Sequence, residues 1–230
     1  MQPIITHPWA LSEDEAIHLQ KKLATQVIKE DKLNEIRYIA GADVAYAKKN
    51  DELIAAVVIL DVNTLEVIET VIAEDKAQFP YIPGLFSFRE LPSLIKAFAK
   101  LKNTPDLIVC DGQGIAHPRR FGLASHLGVI FDIPTIGCGK TLLLGKHDEP
   151  DKTRGSVSPI VHNNEIIGNV LRTQDRINPI YISIGHRILL ETACKWVLRL
   201  SPKYRLPETT RKADQVVRKI LKAKQSLLLG

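Results

Sequence analysis
The stretch YIAGADVAY, Tyr38 to Tyr46, is apolar or small at almost every position and has the length of a β-strand, but Asp43 interrupts it. A carboxylate inside a central strand is costly to desolvate unless it is paired, hydrogen-bonded or bound to a metal. Asp43 is therefore either a satisfied or edge-facing residue, or one with a chemical task. The neighbouring elements decide which of these the fold favours.

Three apolar runs of strand length follow one another, Arg37 to Ala45, Leu53 to Leu60 and Leu65 to Ala73. The link DVNT between the last two is short and made of turn residues, which predicts an antiparallel hairpin. Upstream, LSEDEAIHLQKKLATQVI, residues 11–28, carries a capping box of Ser12 and Glu15. Ala16, Leu19, Leu23 and Val27 then form one helical stripe. Downstream, LPSLIKAFAKL reads as helix from Leu91, DLIVCD as a fully buried strand, RRFGLASHLGVIF as helix from Arg119 and PTIGC as a short strand. Residues 155–183 read as strand again with Asn163 and Asn164 at a turn, and HRILLETACKWVLRL as a long amphipathic helix from His186. A meander followed by helix, strand, helix, strand predicts an α/β fold, a central mixed sheet with helices on its faces. No repeat, low-complexity segment or linker divides the chain, so one domain over residues 1–230 is expected.

Asp111 ends the strand LIVCD immediately before GQG. By itself it also reads as a turn cap. If the first strand of the meander lies beside this one, Asp43 and Asp111 meet on neighbouring strands. Glu90, at the beginning of the intervening helix, would then reach the same point. Three hard oxygen donors, with no His or Cys spaced for zinc, suit Mg2+ or Mn2+. Such a site can activate water and steady the leaving oxygen of a phosphodiester. Other chemistries fit less well. GCGKT lacks the first glycine of a phosphate-binding P-loop, where Pro134 stands, although Lys140 remains a candidate phosphate contact. GLASHLG has the wrong spacing for a nucleophile elbow. His117 and His186, each beside arginines, read as phosphate donors or as caps.

Composition bounds the partners. With 45% hydrophobic and 25% charged residues the chain is that of an ordinary globular protein, and its net charge of +5 mildly favours a polyanion. From Arg199 onward nine basic residues face two acidic ones, Glu208 and Asp214, a local charge of +7, which reads as a solvated basic helix or a phosphate-tracking surface. Cys110, Cys138 and Cys194 each sit in an apolar run without CxxC spacing, as buried free thiols of a reducing cytoplasm would. The first residues lack the pattern of a signal peptide, and no apolar run approaches a membrane span.

FPYIPGLFSFRE, Phe79 to Glu90, places a stiffened turn with Tyr81 and Ile82 at its tip next to a charged pair, Arg89 and Glu90. Together with IAGADVAY, DGQGIAHPRRFGLASHLGV, GCGKTLL, ISIGHRI and RLPETTRKAD, it resembles endonuclease V, the deoxyinosine 3′ endonuclease of DNA repair. The match runs in order from about residue 39 to 214. The resemblance implies a ribonuclease H-like fold and magnesium-dependent hydrolysis of the second phosphodiester 3′ to a deaminated purine, leaving 3′-hydroxyl and 5′-phosphate ends. Its metal aspartates fall on Asp43 and Asp111, and its catalytic glutamate on Glu90. Lys140 takes the place of a lysine near the scissile phosphate. Asp214 matches a position filled by Asp or His, as a further metal or water contact.

The same resemblance makes Pro80, Tyr81, Ile82 and Pro83 a strand-separating wedge, with Gly84 turning the chain into the helix that carries Arg89. Gly112, Gly114 and Gly122 match small residues around a base pocket, and His117 joins the substrate-binding set. The implied partner is DNA containing deoxyinosine or related lesions, with inosine-containing RNA open as a second substrate and no membrane or obligate protein partner evident. Two rivals remain: a non-catalytic protein that binds inosine or distorted strands, and another ribonuclease H-like nuclease acting on RNA.

Overall fold
The computed structural model describes residues 1–47 and 51–227, with side chains of the last helix followed to residue 224. The meander forms as β1 (Tyr38–Tyr46), β2 (Glu52–Asp61) and β3 (Val67–Lys76). The third strand begins two residues later than expected. The Asp61 carboxylate accepts from the amides of Asn63 at 2.9 Å and Thr64 at 3.1 Å, and Leu65 takes positive φ, so the turn is longer than its sequence suggests. Helix α1 (Glu13–Ala24) has the capping box, but it ends before residue 28, where Thr25 Oγ1 donates back to the Lys22 carbonyl at 2.8 Å.

Helix α2 (Phe86–Phe98) starts five residues before Leu91. A proline usually marks a first turn, yet Pro92 sits inside this helix, and Ser93 Oγ donates to the Glu90 carbonyl at 2.7 Å beside the missing amide. Glu90 is therefore a turn inside the helix and not at its beginning. Strand β4 (Leu107–Asp111), helix α3 (Leu123–Phe131) and strand β5 (Thr135–Gly139) follow. Helix α3 begins four residues later than expected, because Arg120 holds φ +55° and residues 112–122 form a loop.

Strands β6 (Val157–His162) and β7 (Glu165–Leu171) make a hairpin whose two turn residues, Asn163 and Asn164, both have positive φ, as a tight primed turn requires. Strand β8 (Ile180–His186) precedes helix α4 (Leu190–Leu200), which starts past His186. Asp31 accepts there from the Leu189 amide at 2.7 Å and from Thr192 Oγ1. The basic tail forms helix α5 (Glu208–Leu227).

All eight strands join one sheet, ordered β3-β2-β1-β4-β5-β8-β7-β6, with β1–β4 and β4–β5 parallel and the other pairs antiparallel. Alternation along β1 divides its side chains between two layers. Ala40 and Ala42 pack with Leu91 and Leu94 of α2 and Leu127 of α3 on one face. On the other, Ala45 and Ala56 pack against Val217 of α5, while Val109 and Ile182 cover Val197 of α4. All three cysteines are free and buried, and among the described residues no helix is long and apolar enough to cross a membrane.

Helix α5 approaches β1 so closely that a Cβ on Gly41 would stand 2.2 Å from the Thr209 carbonyl oxygen. Gly41→Ala is expected to push α5 off the sheet and to cost about 1–3 kcal/mol in denaturant unfolding. An unchanged midpoint would contradict this packing.

Candidate active site
Strands β1 and β4 pair through Ala42 and Cys110, so Asp43 and Asp111 stand one residue further along adjacent parallel strands. Glu90 of α2 arrives from one face of the sheet and Asp214 of α5 from the other. Lys140 follows β5. All five line one cleft of about 410 Å³, together with Tyr46 and Arg218. Every polar residue expected to carry the chemistry is thus brought together.

Burial and crowding set the electrostatics of this cleft. Desolvation, and then the charge of Asp111, push the Asp43 carboxyl up to about 7. Glu90 is 4% exposed, and burial holds its pKa well above the usual carboxylate range, with Asp43 and Asp111 adding to the effect. Tyr46 Oη donates to Glu90 Oε1 at 2.8 Å and works in the opposite direction. Burial disfavours the Lys140 ammonium, but its hydrogen bond to Asp111 Oδ2 and the charges of Asp111, Asp43 and Asp214 together outweigh this and raise its pKa. Asp214 pairs with Arg218 Nε at 2.8 Å, one helical turn away.

The donor set is all oxygen, and the burial and repulsion that raise Asp43 are what a divalent cation held by these carboxylates would offset. The chemistry fits Mg2+ or Mn2+. Among the described residues, however, no three His, Cys, Asp or Glu side chains stand ready to hold one ion. Lys140 takes Asp111 Oδ2 and Tyr46 takes Glu90 Oε1; each carboxylate keeps its second oxygen to offer an ion.

The expected wedge lies outside the cleft's lining. Tyr81 is 71% exposed at its tip, between exposed prolines 80 and 83. Ile82 instead turns toward a cluster of Ala16, Phe79, Leu85 and Phe88, where it anchors the loop. Arg89 also points inward: Nη1 donates to the Phe79 carbonyl at 2.7 Å, Nη2 pairs with Asp51, and the guanidinium lies over the Tyr46 ring.

His117 is buried. Its Nδ1 accepts from the Arg119 amide at 3.2 Å, which leaves the proton on Nε2, 3.0 Å from the Gly84 carbonyl oxygen. His186 is likewise engaged internally, with the Ile28 amide and Asp132. Gly114 meets a requirement of the loop itself, since a Cβ there would lie 1.9 Å from the Ile184 carbonyl oxygen. The Gly122 amide donates to the Gly114 carbonyl at 2.9 Å, and Gly112 bridges to Cys138.

Three residues that touch these features escape a reading of the sequence. Tyr46 closes the motif strand, but its partner is 44 positions away. Arg119 looks like one more surface cation. Gln20 left a signal: it is the polar residue on the buried stripe that Ala16 and Leu23 define.

A sequence profile described as Endonuclease V matches residues 21–215. The chain belongs to the endonuclease V family. An endonuclease V from a Nostoc species is 52% identical over 217 residues, covering 94% of this chain and 98% of the relative. The crystal structure of endonuclease V from Streptomyces avermitilis superposes with a TM-score of 0.91 at 43% identity, covering 98% of this chain and all of that one. Endonuclease V from Ciona intestinalis, in complex with a 23-mer DNA containing an inosine followed by a ribo-adenosine, superposes with a TM-score of 0.82 at 28% identity over 93% of this chain and 99% of its own. The fold is accordingly the ribonuclease H-like one of the family.

Burial, then the neighbouring Arg119 charge, lowers the His117 pKa from 6.5 to about 4. The unfolded chain therefore takes up this proton first as pH falls. The contribution of His117 to stability is complete above pH 6.5 and is lost as pH drops toward 4, a change of about 3 kcal/mol. The pH dependence of urea unfolding is expected to be shallower in His117→Gln over that window, and parallel curves would contradict the assignment.

Proposed function
We propose that this chain nicks DNA at deoxyinosine, hydrolysing the second phosphodiester 3′ to the lesion with Mg2+ or Mn2+ and leaving 3′-hydroxyl and 5′-phosphate ends. The observation that carries this reading is the convergence of Asp43, Glu90 and Asp111 with Lys140 in one cleft, beside a basic helix. A protein that only binds nucleic acid gains nothing from carboxylates aimed at phosphates. The inosine-bearing DNA held by the Ciona relative supports the choice of substrate.

Each group then has a task. Arg218, Lys219 and Lys222 are exposed on α5 and offer a track for the phosphate backbone beside the cleft. Tyr81, on a tip stiffened by two prolines, presents a ring that stacks on a base and fills the gap it leaves. Flipping costs a few kcal/mol and least at a poorly paired base, which favours hypoxanthine over adenine. The extruded base goes to the loop of Gly112, Gly114 and Gly122 that follows Asp111, while hydrolysis takes place at a phosphate displaced from it, so the outcome is a nick and not base removal. When bound, the divalent cation supplies the Lewis acidity that activates water and steadies the leaving oxygen. Asp43 and Asp111 would hold it from adjacent strands and Glu90 from α2, oriented by Tyr46. Lys140 places its charge next to the phosphate.

The test is a panel of end-labelled duplexes carrying inosine, uracil, an abasic site or a mismatch, and a matching inosine-containing RNA, with products mapped to one nucleotide. Cleavage is expected to be strongest at inosine in DNA, at the phosphodiester one beyond the adjacent one. It should stop with EDTA and fall at least about a thousandfold in Asp43→Ala. EDTA-resistant cutting, or near-normal cutting by Asp43→Ala, would remove the metal site. Preferred cleavage of the RNA would transfer the reading to RNA.

A further inference from the structure
Three nitrogen donors from two separate segments converge on the carbonyl oxygen of Gly84, the residue that ends the Pro80–Pro83 tip. Gln20 Nε2 of α1 is 3.1 Å away, while His117 Nε2 and Arg119 Nη2, from the loop between β4 and α3, are 3.0 and 2.7 Å away. The network closes on itself: Arg119 Nε donates to Gln20 Oε1, and Gln20 Nε2 also reaches the Phe121 carbonyl at 2.7 Å. Gln20 is 1% exposed on a helix that lies outside the catalytic sheet, and all its hydrogen-bonding capacity is directed at this junction. Burying a polar amide on the apolar stripe of α1 is costly without such partners. Gly84 itself holds φ +79°, and a Cβ there would stand 2.7 Å from Arg119 Nη2, so backbone and clamp are built for each other.

The geometry has a second half. At the other end of the tip, Arg89 Nη1 donates to the Phe79 carbonyl at 2.7 Å. A guanidinium therefore holds each end of the loop, while Tyr81 stays exposed between them. The segment that supplies His117 and Arg119 is continuous with the glycine loop, and Gly122 N–H and Ala124 N–H tie that segment back to Gly114 and Gln113 at 2.9 and 3.0 Å. The clamp is thus a direct polar link between the tip and the glycine loop.

We propose that Gln20, His117 and Arg119 are positioning residues for lesion recognition, which fix the tip at one separation from the glycine loop so that strand opening and base capture occur in register. This rests on the reading of the tip as a wedge and of the glycine loop as the base pocket. A wedge free to wander would part the strands without delivering the base, and displacement by about 1 Å is enough to cost up to a hundredfold in rate. The clamp matters where two strands must be parted and is dispensable where they are already apart.

The experiment compares single-turnover kcat/KM on inosine in a duplex and inosine in a single strand, for Arg119→Met, Arg119→Lys, Gln20→Leu and Tyr81→Ala, alongside each variant's thermal midpoint. Arg119→Met and Gln20→Leu are expected to lose about tenfold to a hundredfold on the duplex and less than about threefold on the single strand, with Arg119→Lys recovering part of the loss. Arg119→Lys keeps a donor for Gly84 and serves if the other variants fail to fold. Equal losses on both substrates, or none on either, would overturn the clamp. If Tyr81→Ala lowers the duplex-to-single-strand ratio while the Arg119 and Gln20 variants do not, the wedge stands and the clamp alone fails. If Tyr81→Ala leaves the ratio unchanged, the wedge reading fails and the clamp falls with it.

Discussion
The parallel pairing of β1 with β4 is the constraint on which the rest depends. It sets Asp43 and Asp111 at neighbouring positions on two strands of the sheet interior, where their side chains cannot move apart. Two carboxylates so placed repel and are poorly solvated, and the raised pKa of Asp43 records that cost. The surrounding structure answers it with groups from every side: Lys140 from the end of β5, Tyr46 holding Glu90, and Arg218 drawing Asp214. The sheet is thus locally destabilised where it is chemically useful, and the packing of α2 and α5 on opposite faces supplies what keeps it closed.

From the sequence that pairing was only a condition: the order of elements predicts a mixed sheet, and it is the register of Ala42 with Cys110 that puts the first strand beside the fourth. Asp43, Glu90, Asp111 and Lys140 were candidates from their own stretches, Asp43 and Asp111 each with a plainer structural reading beside it, and Asp214 entered only through the resemblance of the long motifs to endonuclease V. Element ends were less readable. Helix α2 begins before the proline that seemed to open it, and α3 begins after Arg120, because tertiary partners override local preference at both places. Side-chain direction was not readable at all. Ile82, Arg89 and His117 were expected to face substrate, yet they turn inward, to a cluster around Phe79, to the Phe79 carbonyl and to the Gly84 carbonyl.

Under the proposed function, these inward-facing residues relate recognition to cleavage. Arg89 adjoins Glu90 in sequence, lies over the ring of the tyrosine that orients Glu90, and holds the base of the tip that bears Tyr81. Gly84 joins the same tip to the glycine loop and to α1. The Pro80–Pro83 tip is therefore mounted on both α2 and the segment that continues the glycine loop, and it is held by buried polar contacts as well as by its prolines. Preorganisation of this kind lowers the entropy lost on binding and confines that loss to the exposed tip.

The central claim is that Asp43 and Asp111 act as one unit held by the β1–β4 register. A double-mutant cycle measures this directly, with single-turnover nicking of an inosine duplex at saturating Mg2+ for Asp43→Asn, Asp111→Asn and the double variant. If the two carboxylates share one function, the double variant loses little more than the worse single one, and the coupling energy approaches the smaller single effect. Losses that multiply would mean that the two aspartates act independently, and the account of the site would be wrong.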